Sequence, residues 1–308
     1  MCYSAQVWQD YHNYVRVYGA DVSIKEFVRL YVRRREGAPI KTTRGMDAAF
    51  AGGSSDDERL IHSLIAEHDA QLVHELEQER FQQTKRLNDA ERTLLTKTTK
   101  KATEDRRIAT NRIERAKERL ADLHRSELKA RDCRIFPGYY APVLVWEAGR
   151  RVVKPMRYQC RPAGKPAFYD RKYPGTYNAR RDNLEGFWKG QFGHTHGLMV
   201  VTEFFENVTG ADGRNKVLRF APRSGEAMLV ACLWSRWTDQ EGDELLSFAA
   251  ITDEPTPEVA AAGHDRLIVS IKPEHVDAWL DPQRNDLAAL YAIFDDKQSD
   301  YYEHRLAA

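Results

Sequence analysis

Gly197-Leu198-Met199-Val200-Val201-Thr202-Glu203-Phe204-Phe205-Glu206 is an apolar run with β-branched residues at its centre, ending in two aromatic rings and a carboxylate. Nothing in it alternates polar with apolar, so it reads as a strand buried on both faces. Similar runs lie on either side: Ala141-Pro-Val-Leu-Val-Trp146 upstream, then Ala227-Met-Leu-Val-Ala-Cys-Leu-Trp234 and Leu246-Ser-Phe-Ala-Ala-Ile-Thr252 downstream. Gly, Pro, Asp and Asn punctuate the intervals, as turns between strands require. Lys272-Pro-Glu-His-Val-Asp-Ala-Trp-Leu280 reads instead as a short helix with Pro near its start.

A different text precedes this β-like part. Between Ser54 and Phe136 there is neither Gly nor Pro, and residues 56–132 carry 17 acidic and 17 basic side chains. Leu60, Leu64, Leu72 and Leu76, then Ile108, Ile113, Ala116, Leu120 and Leu123, recur at helical spacing. Ser55 followed by Glu58 fits a capping box. The spacing predicts two long helices with a turn around Lys97–Lys101, an αα-hairpin or coiled-coil arm. The arm is polarised: residues 56–79 hold eight acids and one base, residues 80–132 nine acids and 16 bases. The expected architecture is α+β. A discontinuous β-rich core, mixed sheet or barrel, is formed by 1–54 and 133–308, and 55–132 is a helical-hairpin insertion, a solvated arm or one suited to a protein partner, nucleic acid or self-association.

Composition bounds the function. With 308 residues and 42% hydrophobic side chains the chain can bury a substantial core. Its 47 Lys+Arg against 46 Asp+Glu exclude nucleic-acid binding by bulk basicity and leave room for a local basic groove. No apolar run reaches the roughly 18 residues of a membrane span. The first residues, Met-Cys-Tyr-Ser-Ala-Gln, lack the features of a secretory signal. Cys2, Cys133, Cys160 and Cys232 are far apart with no C-x-x-C pair, as expected in a reducing cytoplasm.

Four constellations could carry chemistry. Removal of Met1 would expose Cys2 as a 1,2-aminothiol; reference values of about 8 for the amine and about 8.5 for the thiol leave both partly nucleophilic near neutrality. In Tyr177-Asn-Ala-Arg-Arg-Asp182, Asn178 offers an amide to orient an amine or carbonyl, and Arg180 and Arg181 offer guanidinium forks for phosphate. In Thr202-Glu-Phe-Phe-Glu206, a carboxyl bracketed by aromatics is suited to acid–base work; Glu203 and Glu206 face opposite ways on a strand, so one points inward. In Gly263-His-Asp-Arg-Leu-Ile-Val269, His264 is a candidate proton shuttle and Arg266 a further phosphate ligand. His194-x-His196 lacks the partners that would define a metal site, so no metal or cofactor is expected.

The order of these elements resembles the SRAP family, the SOS-response-associated peptidase proteins that attach covalently to abasic sites in single-stranded DNA. The resemblance covers roughly 1–10 and 137–282, with the charged hairpin as an insertion that compact members lack. It implies that the nucleophile is Cys2, the orienting amide Asn178, the acid–base carboxylate Glu206 and the catalytic imidazole His264, with Arg180 and Arg266 on DNA phosphates. Three places depart from the family pattern: Tyr3-Ser4 where Gly-Arg is usual, Asn207 in place of a Trp, and Leu267-Ile268 where Met-Pro is usual. The implied product is a thiazolidine crosslink between Cys2 and the abasic aldehyde, on single-stranded DNA, in a cytoplasmic protein that joins the nucleoid when bound. Two other readings use the same residues or none of them: an N-terminal-nucleophile cysteine peptidase or hydrolase, which could also remove its own Met1, and a coiled-coil scaffold.

Overall fold

The computed structural model describes residues 3–209, 213–298 and 300–307. Among the described residues, twelve strands follow one another. They are β1 (Ser4–Val7), β2 (Asp21–Val22), β3 (Arg134–Ile135), β4 (Tyr140–Glu147), β5 (Arg150–Tyr158), β6 (Asn178–Arg180), β7 (His196–Thr209), β8 (Asn215–Pro222), β9 (Met228–Thr238), β10 (Glu244–Asp253), β11 (Leu267–Ile268) and β12 (Tyr302–Leu306).

Five of them close a ring. β4 pairs with β5, β5 with β10, β10 with β9, β9 with β7, and β7 returns to β4. All these pairings are antiparallel except β5–β10. The barrel accounts for the unalternating apolar runs, because both faces of its strands are buried. On β7, Met199 and Val201 belong to one core cluster while Leu198 and Val200 belong to the other. On β9 the same division separates Val230 and Cys232 from Leu229, Ala231 and Leu233. The second face is covered by helices 11–18, 24–35, 276–280 and 287–295, which contribute Tyr14, Phe27, Trp279 and Phe294.

β7 is longer than the barrel needs. Its first half pairs with β9 and β4, and its second half leaves the ring to pair with β8, which in turn holds β12. β1 lies along the other edge of β7, with Ser4 opposite Phe205, and carries β3 on its outer side. β6 and β11 both extend β10. The stretch where β7 leaves the barrel therefore gathers the N-terminal strand, and β10 gathers the segments around Asn178 and Ile268.

The predicted hairpin is present as helices Asp56–Thr96 and Lys100–Leu123. Ser55 and Glu58 form the expected reciprocal capping box. The seam between the helices is narrow: Leu76 packs with Ala116 and Leu120, and Ala90, Ala102 and Ala109 are buried further along. Small residues let the helices approach closely, and ion pairs Arg86–Asp105 at 2.5 Å and Arg112–Glu79 at 3.6 Å cross between them. Ile61, Leu64 and Ile65 sit within the main core cluster, so the first turns of the long helix are anchored on the barrel's helical layer. Among the described residues, no helix is long and apolar enough to cross a membrane.

Candidate active site

Glu206 lies on β7 just beyond the barrel and is only 1% exposed. Burial pushes its carboxyl above the usual carboxylate range; hydrogen bonds from His264 and from the backbone N–H of Tyr3 act in the opposite direction. Glu203, three residues earlier, faces Arg219 in an ion pair, so the inward carboxyl of this strand is Glu206.

His264 reaches the same place from the loop before β11. Gly263 adopts φ +91°, a left-handed conformation that permits the turn presenting it. The imidazole is 8% exposed, and its Nε2 stands 3.0 Å from Glu206 Oε2. Its Nδ1 lies 2.8 Å from the carbonyl oxygen of Arg266 and 3.3 Å from the Arg266 nitrogen. The shorter contact favours Nδ1–H donating to that carbonyl. Nε2 then faces a carboxyl with one proton to be shared between them, the arrangement of a proton-transfer pair.

Asn178 is placed by β6, which runs parallel to β10 with Asn178 opposite Ala250. It is 6% exposed, and neither its amide oxygen nor its amide nitrogen is hydrogen-bonded among the described residues. A buried amide without partners is uncommon and costs stability unless something arrives to satisfy it. Asn178 lines a groove of about 340 Å³ whose rim includes Arg180, Tyr173 and Phe187.

Tyr3 joins these groups. Its backbone N–H donates to Glu206, and its ring makes edge contacts with Tyr177, next to Asn178, at 6.5 Å and with Phe136 at 5.7 Å. Arg134 fixes the strand that follows. Its guanidinium lies 3.6 Å from the centroid of Phe205 and donates to Ser4 Oγ from two nitrogens, at 3.1 and 2.8 Å. Nothing in the sequence around Arg134 singled it out, because its role depends on β3 being brought beside β1.

The three candidate arginines separate. Arg180 is half exposed and, among the described residues, forms an ion pair with its neighbour Asp182. Arg266 is mostly buried, with Glu254 at 3.9 Å. Arg181 is held by Asp253 at 3.1 Å and by Asp295, beneath the rings of Tyr291 and Phe294, which commits it to the fold. His196 is likewise part of the core: Nδ1 lies 2.9 Å from the Trp279 carbonyl, Nε2 accepts from Gly193 N–H at 2.8 Å, and burial pushes its pKa down to about 3. Cys2 lies outside the described residues. Of the others, Cys160 and Cys232 are fully buried and Cys133 is half-buried, and burial raises all three thiols.

The fold has relatives among solved structures. A crystal structure of a protein from Bacteroides thetaiotaomicron superposes with a TM-score of 0.50 at 13% identity, covering 61% of this chain and 82% of that one. A protein from Bordetella bronchiseptica gives 0.46 at 16% identity, covering 60% of this chain and 90% of its own. A phage-related protein from the same organism gives 0.44 at 20% identity, covering 57% and 81%. No curated protein matches the sequence. The family model for the SOS response associated peptidases matches residues 80–306, a span that contains Asn178, Glu206 and His264. The chain belongs to the SOS response associated peptidase (SRAP) family.

Proposed function

We propose that this protein captures abasic sites in single-stranded DNA by forming a thiazolidine between Cys2 and the aldehyde of the ring-opened sugar, acting on DNA in the cytoplasm and at the nucleoid. SRAP membership supports a DNA-damage-associated function with DNA as partner. The finer reading rests on one observation: the buried Glu206–His264 pair receives a hydrogen bond from the Tyr3 N–H, the amide that joins residue 2 to residue 3. Tyr3, the residue that follows Cys2 in the sequence, thus touches a proton-transfer pair, which supports reading Cys2 as the nucleophile that works with it.

In this mechanism Met1 is first removed. Glu206, whose acid form burial favours, gives its proton to the sugar ring oxygen as the C1–O bond to the ring breaks, and the C1 hydroxyl passes its proton to His264 as the aldehyde forms. The Cys2 amine then adds to C1, forming a C–N bond and a carbinolamine. Proton transfer through Glu206 and His264 lets the hydroxyl depart as water and leaves a Schiff base. The thiol adds across the C=N bond, its proton passing to nitrogen, and the ring closes with one water lost overall. Asn178, whose amide has no hydrogen-bond partner among the described residues, would hold the amine or the sugar oxygen. Arg180 and Arg266 would contact backbone phosphate, so affinity before the covalent step falls with added salt. Specificity comes from the substrate, since only a baseless nucleotide offers an aldehyde.

The test is direct. The protein is incubated with a single-stranded oligonucleotide carrying one abasic site, and the mixture is resolved on a denaturing gel beside Cys2→Ala. A heat-stable, slow-migrating adduct from the parent alone is the expected result, with intact mass showing loss of Met1. No adduct, or an equal adduct from Cys2→Ala, overturns the reading.

A further inference from the structure

We propose that the cleft between the base of the helical hairpin and the barrel binds the single-stranded DNA that flanks the captured nucleotide. The inference rests on the function proposed above, and it adds a role for the insertion. The open cleft holds about 1040 Å³, just above the usual range of about 300–1,000 Å³ for small-molecule sites, so its size suits an extended polymer. It lies between helix 56–96, helix 100–123, the segment 40–51 and the strand carrying Arg134.

Continuity with the active site comes from aromatic contacts. Phe136 and Tyr139 line the cleft and stand 5.9 Å apart, and Phe136 meets the ring of Tyr3, whose backbone donates to Glu206. A strand leaving the captured nucleotide along this path passes half-buried ring faces, which stack on any base without reading its identity.

The charge has the matching sign. The acids of the cleft wall are each tied to an arginine: Asp47 and Asp69 to Arg34, Asp132 to Arg125, and Asp122 to Arg125 and Arg131. The exposed cations Lys41 and Arg119 have no carboxylate partner among the described residues, and Lys41 lies 5.9 Å from the ring centre of Tyr139. Two cations beside two aromatic faces, in a cleft whose own acids are each already paired with an arginine, fit a phosphate backbone with stacked bases.

The experiment reads equilibrium binding to undamaged single strands, so it stands apart from crosslinking. Fluorescence anisotropy with a labelled 12-nucleotide oligonucleotide is measured across a salt series for the parent, Lys41→Glu/Arg119→Glu, Lys41→Gln/Arg119→Gln, and the distant control Lys85→Glu/Lys97→Glu. The cleft variants should bind about tenfold or more weakly. The slope of log affinity against log salt should fall by about 1.4, the loss of two phosphate contacts on a single strand. The control should stay within about twofold of the parent. A cleft variant that binds within twofold of the parent, or a control that loses as much as the cleft variants, overturns the proposal. Failure here with an intact adduct on the denaturing gel removes the cleft and leaves the crosslinking reading standing; the reverse pattern does the opposite.

Discussion

Glu206 and His264, 58 positions apart in the sequence, meet at 3.0 Å in a pocket that leaves 1% and 8% of their surfaces exposed. Each arrives on a different extension of the barrel, Glu206 on the part of β7 that outruns the ring and His264 on the loop before β11. The pair is therefore set by sheet topology, and the dry surroundings favour the acid form of Glu206 relative to an exposed carboxylate.

The first prediction follows from that acid form. Because burial raises the Glu206 carboxyl, its acid form persists above the ordinary carboxylate range, and crosslinking falls as pH rises through the raised value. Glu206→Gln should slow crosslinking by about 10²-fold and remove that alkaline loss from the pH–rate profile. The sign for stability is opposite to that of a salt-bridged acid. A carboxyl with a raised folded pKa contributes fully below its unfolded value of about 4.3 and loses that contribution as pH rises through the folded value. Glu206→Gln should thus melt about 2 °C or more above the parent at pH 8 and show no gain at pH 4. A variant with the parent's rate and melting curve would assign the proton to another group.

Asn178 gives a second, independent prediction. Its amide is buried with no hydrogen-bond partner among the described residues, so removing it sacrifices no hydrogen bond to any of them. Asn178→Ala should keep its melting temperature within about 2 °C of the parent while crosslinking slows at least about tenfold, through lost orientation of the reacting groups. A large drop in melting temperature with normal crosslinking would make Asn178 a structural residue.

These two predictions mark what was legible in the chain. The unalternating run around Val200 announced a strand buried on both faces, and the Gly- and Pro-free stretch from Ser55 announced the hairpin, because both patterns are local. The spacing of Asn178, Glu206 and His264 pointed to a shared site through resemblance to a family. Arg134 stayed hidden: its grip on Ser4 and Phe205 exists only once β3 pairs with β1. Arg181 illustrates the reverse. A phosphate fork by type, it is neutralised by Asp253 and Asp295, acids 72 and 114 positions away, which no local reading finds. The anchoring of the long helix through Ile61 and Ile65 was equally invisible, since heptad-like spacing does not say which turn faces the core.

That anchor supplies a third prediction. Glu58 accepts hydrogen bonds from the backbone of Ser55 and Ser54 at 2.9 Å each, and from the Tyr11 hydroxyl at 2.5 Å, which hold its pKa down at about 2. A depressed carboxyl contributes stability above its unfolded value of about 4.3 and loses it as pH falls through the folded value. Glu58→Gln should therefore lower the melting temperature at pH 7, with the difference closing between about pH 5 and pH 2. Ser55→Ala removes the other half of the capping box and should cost about 1 kcal/mol at pH 7. Circular dichroism melts at several pH values would check both; a pH-independent effect of Glu58→Gln would mean that the cap is not ionic.

The closure of the barrel can be tested at Gly197, where β7 meets β4. A methyl group built there would stand 2.9 Å from Val143 Cγ1 and 3.4 Å from the Leu144 carbonyl oxygen, closer than an unshifted core permits. The Gly197 carbonyl also accepts from the indole of Trp279, so the strand cannot simply move outward without breaking that bond. Gly197→Ala should cost about 1–3 kcal/mol through overpacking. Val143→Ala alone should also destabilise, by leaving a small cavity. Combined, the two changes should cost less than their sum, by about 0.5 kcal/mol or more, because the deleted methyl is the one the new methyl strikes. Urea denaturation of the four proteins gives this coupling directly. Strict additivity would mean that β7 and β4 are free to part at this point, and the site that β7 carries beyond the ring would then rest on a looser support than the packing implies.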